Sequence, residues 1–251
     1  DFFAILLPVP VIMYFVTNRR MYLWMVVWLL LSTVLEAVRT GIGASILGLA
    51  FFYMLYKKSK SVPYIALMII LFIGSIFAVP EVKEKMFGAD VDKVTLSNAG
   101  SAKITMNGRD TAWKLTMEHF YKGRELKGSG CGSSLAWYKE YSKGGKGAGL
   151  IHSDWVQMLC ESGNIGLGIY IVFALVMLLI VLSETWKFKD FLSITFAGAL
   201  TVASFMACFF AMGFDNVITY AQQGYVIPFI FLGIFYKFKD LNNDFCSNTS
   251  I

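Results

Sequence analysis

Apolar residues fill this chain in long unbroken blocks, separated by short polar joints and one extended polar stretch. The blocks fall at about residues 2–17, 21–36, 41–56, 62–80, 164–184, 191–213 and 217–236. A helix that crosses the hydrocarbon core of a bilayer needs about 20 mostly apolar residues, so each block reads as a transmembrane helix. The expectation is an all-α polytopic membrane protein with about seven spans. Four spans occupy residues 1–80, a long loop 81–161, three further spans 162–236, and a polar tail 237–251.

The joints set the orientation. Asn18-Arg19-Arg20, Lys57-Lys58-Ser59-Lys60, Trp186-Lys187-Phe188-Lys189 and Tyr236-Lys237-Phe238-Lys239 are basic and occur at every second joint. Between them lie Glu36–Thr40, the long loop and the acidic Asp215-Asn216. Basic residues in short loops mark the cytoplasmic side, which places the 81–161 loop and the Asp215 joint outside. The tail 237–251 is then cytoplasmic.

Composition agrees with the block pattern. Hydrophobic residues make up 57% of the 251 and charged residues only 16%, against about a quarter charged in an ordinary soluble domain. More than half of the charges lie in 81–161. A net charge of +5 concentrated at membrane joints gives no reason to expect a nucleic-acid partner. The spans hold no interior Asp, Glu, Lys, Arg or His, which weighs against an ion-coupled transporter, since such proteins bind charge at membrane depth. Gly41, Ala44, Ser45 and Gly48 share one face of the third span and predict close helix packing. Cys131 and Cys160 share the long loop, where a disulfide is open to them outside the cytoplasm; no Cys-x-x-Cys spacing suggests zinc.

The long loop carries structure of its own. Asn107 is placed to cap a helix over 108–121, with Trp113, Met117 and Phe120 at helical spacing and Arg109 on the face of Trp113. Gly128-Ser-Gly-Cys-Gly132 cannot be helix interior and predicts a tight turn whose backbone approaches something closely. A second helix starts at Ser153 or Asp154, ends near Gly163 and leads straight into the fifth span, so His152 sits at its beginning near the outer surface.

The order Gly108-Arg109-x-x-x-Trp113, then Gly128-x-Gly130-x-Gly132, then His152-x-Asp154 with Glu161-x-Gly163-x-x-Gly166 resembles the O-antigen ligase and O-antigen polymerase family, bacterial membrane glycosyltransferases of the GT-C class. Arg39-Thr-Gly41 is similar to the family's Ser-Arg-Gly element, with Val38 where the serine usually stands. Ser153 stands where the family often has asparagine. The family usually has ten to twelve spans, and the chain begins at Asp1 inside an apolar block, so an N-terminal portion is expected to be missing. The resemblance implies a donor glycan on undecaprenyl diphosphate, an acceptor that is a glycan or lipid A core, contact with membrane lipid, a bacterial inner-membrane location, and no cofactor or metal. A polysaccharide chain-length regulator is the protein partner it admits.

The residues can be weighed on their own chemistry. Breaking a bond between an anomeric carbon and a diphosphate releases a multiply charged anion. Arginine, always protonated and able to grip two phosphate oxygens at once, suits that charge best. Arg39 and Arg109 are both expected on the outer side. The ordinary reading of Arg39 is a salt bridge to Glu36 or a snorkelling interfacial residue. For Arg109 it is a solvated residue in a helix's first turn, a poor position for a cation. An imidazole exchanges protons near neutral pH, so His152 could take the proton of an attacking hydroxyl; its ordinary reading is a surface histidine beside a helix cap. His119, in an aromatic helix, reads as structural or solvated. Trp113, Gly128, Gly130, Gly132 and Asp154 complete the expected site as binding residues, Trp137, Tyr138 and Tyr141 divide evenly between sugar stacking and packing, and Asp90-Val91-Asp92 reads as solvated loop.

These readings converge on a polymerase of lipid-linked oligosaccharide repeats, inverting and metal-independent. A ligase to lipid A core and a protein O-oligosaccharyltransferase share its chemistry. A polysaccharide exporter or flippase, and a scaffold whose loop binds a partner, are the rivals from other classes.

Overall fold

In the computed structural model the described residues are 8–35, 39–56, 70, 74, 109–143, 151–188, 191–220 and 222–248. The fourth expected span (62–80, except Ile70 and Gly74), Asn107, Gly108, Asp90-Val91-Asp92, the Lys57–Lys60 joint and residues 144–150 lie outside them. Every regular element among the described residues is helical: α1 (Pro8–Thr17), α2 (Arg20–Leu35), α3 (Arg39–Tyr56), α4 (Arg109–Thr116) continued by a π-helical turn (Met117–Tyr121), α5 (Ser133–Lys143), α6 (Asp154–Lys187), α7 (Leu192–Phe214), α8 (Val217–Tyr220) and α9 (Gln222–Asn248).

Two of these helices, α6 and α7, have the length and composition to cross a membrane. They bury themselves differently. Only 17% of the apolar window of α6 is buried, against 78% for α7. Ile169, Val172 and Leu179 of α6 are 60–66% exposed in the bare protein, as befits a helix suited to lipid. Arg20–Leu29 and Thr40–Tyr56 are shorter apolar helical stretches. The described residues of the segment expected as one span at 217–236 are helical, in α8 and α9, and α9 runs on to Asn248 through the residues expected as a tail.

The chain divides into two compact units, residues 1–74 with 177–210 and 221–251, and residues 75–176 with 211–220. In the first unit α1 packs on α2 and α2 on α3. The small-residue face of α3 does what its spacing predicts: Ala44 and Ser45 are buried, and the Gly48 backbone leaves only 3.1 Å between a Cβ placed there and Ala203 O or Ala207 Cβ of α7. Val181, Ile194, Ala197, Val202 and Phe235 form a core of this unit, and Glu184 ties α6 to α9 through Lys239 at 2.6 Å.

The second unit is built around the start of α6. Gly163, at φ 66°, kinks that helix and divides a short segment over 154–162 from the long apolar part. A Cβ on Gly163 would run into the Leu126 carbonyl, and one on Gly128 (φ 70°) into the Glu161 carbonyl, so both positions demand glycine twice over. The turn after Gly123 is laid along the kink by backbone bonds: Asn164 N–H to Glu125 O at 2.7 Å, Ser129 N–H to Cys160 O at 2.9 Å and Gly130 N–H to Glu161 O at 2.9 Å. Cys131 is exposed and Cys160 buried, and both are free thiols, so the disulfide open to them is not formed.

Candidate functional site

His152 sits just ahead of α6 with φ 53°, a left-handed backbone conformation that a non-glycine residue adopts only where its surroundings enforce it. Three contacts do so. The Trp113 indole N–H donates to Ile151 O at 2.8 Å, fixing the preceding residue. The His152 N–H donates to Asn216 Oδ1 at 2.7 Å, and the His152 ring Nδ1 lies 3.4 Å from Asp215 Oδ1. The Asn216 N–H in turn donates to that same Asp215 oxygen at 2.9 Å.

Asp215 therefore joins His152 at the centre of the site. Burial pushes its carboxyl up, but the His152 ring, the Asn216 N–H and the charges of His152 and Arg109 outweigh this and hold it below the usual aspartate range. Arg109, half-buried at the start of α4, acts on Asp215 through space, which brings a histidine, a carboxylate and a guanidinium into one neighbourhood.

Asp154, expected as a binding residue, is 2% exposed and turned to the protein. Its Oδ2 accepts from the Ile218 N–H at 3.0 Å, its own N–H donates to Asp215 O at 3.2 Å, and the Val217 N–H and the Asn216 side chain also reach it. It holds the 215–218 turn against the start of α6. Burial pushes its carboxyl up to about 6, against the pull of those donors.

The glycine-rich turn meets the protein, too. At Gly128 the close approach expected from sequence is to the backbone at 161–163, whereas Gly130 and Gly132 have open space where a Cβ would stand. Glu161, 8% exposed, accepts from the Gly132 N–H at 2.8 Å, from the Ser134 hydroxyl and from Gln157 Nε2 at 3.2 Å. Trp113 spends its one donor on Ile151, Tyr138 is buried and donates to Ala112 O at 3.1 Å, and Trp137 packs with His119 and Phe120. Arg39 opens α3 in the other unit, and its side chain lies outside the described residues.

Sequence reading missed Asp215, Asn216, Gln157 and the role of Glu161. Asp215-Asn216 carried a signal, as an acidic pair expected on the same side as the loop. Gln157 carried none. Among the described residues no group of three or more His, Cys, Asp or Glu side chains has the spacing to hold a metal ion.

Two helices long and apolar enough to cross a membrane, together with a cluster of polar side chains at the start of one of them, are the make-up of a membrane protein with a polar site. The chain belongs to the O-antigen ligase family, whose model matches residues 24–171 and so takes in Arg39, Arg109, the glycine-rich turn and His152. It is thus a membrane protein of a family of lipid-linked glycan transferases. No curated protein and no solved structure matches the chain.

Proposed function

We propose that the chain transfers a glycan from a polyprenyl diphosphate carrier to a sugar hydroxyl, and that it acts as a polymerase of lipid-linked repeat units. The observation that carries the chemistry is the His152–Asp215 pair, 3.4 Å apart, with Arg109 acting on the same carboxylate. An ionised Asp215 accepts from Nδ1–H and leaves His152 Nε2 as the base. The acceptor hydroxyl gives its proton to Nε2 while its oxygen bonds to the anomeric carbon. The bond from that carbon to the diphosphate breaks on the opposite face, inverting the configuration. Arg109 takes the charge on the departing lipid diphosphate. No metal is required in this scheme. The catalytic face lies on the outer side of the bacterial inner membrane, as the alternating basic joints argue.

The ligase reading has the description of the family match in its favour. Incubation with an undecaprenyl-diphosphate-linked repeat unit, with and without lipid A core, separates the two. Higher oligomers without core support the polymerase, transfer confined to added core establishes the ligase, and no transfer to either defeats both. Turnover should stay within roughly twofold when divalent ions are chelated; loss restored by Mg²⁺ would defeat the arginine account.

A further inference from the structure

Glu161 stands away from the reacting groups, yet an unbroken polar path joins it to His152. Its Oε1 accepts from Gln157 Nε2 at 3.2 Å. Gln157 Oε1 then accepts from Asn216 Nδ2 at 3.1 Å, and Asn216 Oδ1 accepts from the His152 N–H at 2.7 Å. The path has a direction. An ionised carboxylate only accepts, so Gln157 must turn its amide nitrogen to Glu161 and its oxygen to Asn216. Asn216 must then turn its nitrogen to Gln157, which leaves its oxygen, as required, for a backbone N–H. The same orientation lets the Asn216 side chain reach Asp154.

We propose that Glu161 is a positioning residue that sets the polarity of the Gln157 and Asn216 amides and so holds His152 in its left-handed conformation against Asp215. The consequence for catalysis rests on the function proposed above; the effect on the His152 backbone does not. Glu161→Gln reverses the relay. The Gly132 N–H needs an oxygen at the Oε2 position, which puts the new amide nitrogen at the Oε1 position, facing Gln157. Gln157 flips, Asn216 flips with it, and an amide nitrogen confronts the His152 N–H. A buried donor is left facing a donor. Gln157→Glu alone sets two carboxylates face to face one helical turn apart. Exchanging the two residues, Gln157→Glu with Glu161→Gln, restores a carboxylate that accepts from Asn216 and a neighbouring amide that donates to it, at unchanged net charge.

The test uses the full chain in lipid nanodiscs, with two readouts on the wild type, both single variants and the exchange. Hydrogen exchange of the His152 amide should be slow in the wild type, roughly tenfold to a hundredfold faster in each single variant, and slow again in the exchange. Turnover of the lipid-linked donor should fall by a similar factor in the singles with donor KM little changed, and recover in the exchange. A role for Glu161 confined to bracing the Gly132 turn predicts that the exchange remains as defective as Glu161→Gln. That result, or wild-type His152 exchange rates in Glu161→Gln, overturns the proposal. If the wild type transfers no glycan, the function proposed above fails while the exchange readout still decides the relay.

Discussion

The backbone at His152 costs about 1–2 kcal/mol relative to ordinary φ values, and asparagine tolerates that region better than alanine. Two substitutions therefore separate the backbone from the ring. His152→Asn and His152→Ala should both lose about 10²–10⁴ of the transfer rate, the usual worth of a general base. His152→Ala should also unfold at a lower temperature than His152→Asn. Full turnover in the asparagine variant would return His152 to a structural role. Arg109→Lys keeps a cation but loses the planar fork, so donor binding should weaken and rate fall while the unfolding temperature holds. An Arg109→Lys enzyme with unchanged donor KM would remove diphosphate from its list of contacts.

At the scale of elements, the Gly128 turn and the Gly163 kink are one device, each occupying the space a side chain on the other would need. Gly130→Ala, with open space around it, should cost only the positive φ, about 1–2 kcal/mol. Gly128→Ala should cost clearly more, since it also meets the Glu161 carbonyl; equal unfolding temperatures for the two variants would contradict that packing. The start of α6 carries a pH dependence as well. Asp154 has its folded value raised to about 6 from 3.8, so the folded state holds the proton more tightly. Its unfavourable contribution is absent below the unfolded value, grows as pH rises from about 4 to 6, and is fully present above that. Wild-type unfolding temperature should drop between pH 4 and pH 7 by an amount that Asp154→Asn abolishes. Parallel curves for the two proteins would show that Asp154 is not buried as a carboxylate.

For the whole molecule, the alternating basic joints predict which side the long loop faces. In a background carrying Cys131→Ser and Cys246→Ser, Lys187→Cys should resist a membrane-impermeant maleimide in intact cells and Ser142→Cys should react. The reverse pattern would put the site on the cytoplasmic side and end the mechanism proposed for it.

Hydropathy and joint charge were legible in the chain because lipid imposes a one-dimensional rule on composition. The α6 and α7 blocks, the small-residue face of α3, the start of α6 beside His152 and the left-handed glycines all follow from local pattern. Arg109 and His152 stood out in the chain because a guanidinium suits a charged leaving group and an imidazole suits proton transfer. What no local pattern carries is which polar groups meet across the chain. Asp215 lies 63 residues from His152, and Glu161 lies 29 from Gly132, so their pairing is decided when the 215–218 turn and the glycine-rich turn fold onto the start of α6. The same folding gave the polar atoms of Trp113 and Asp154 backbone partners at Ile151 and Ile218. A buried donor or acceptor must be satisfied by whatever the fold brings within reach, and only the tertiary structure determines what that is.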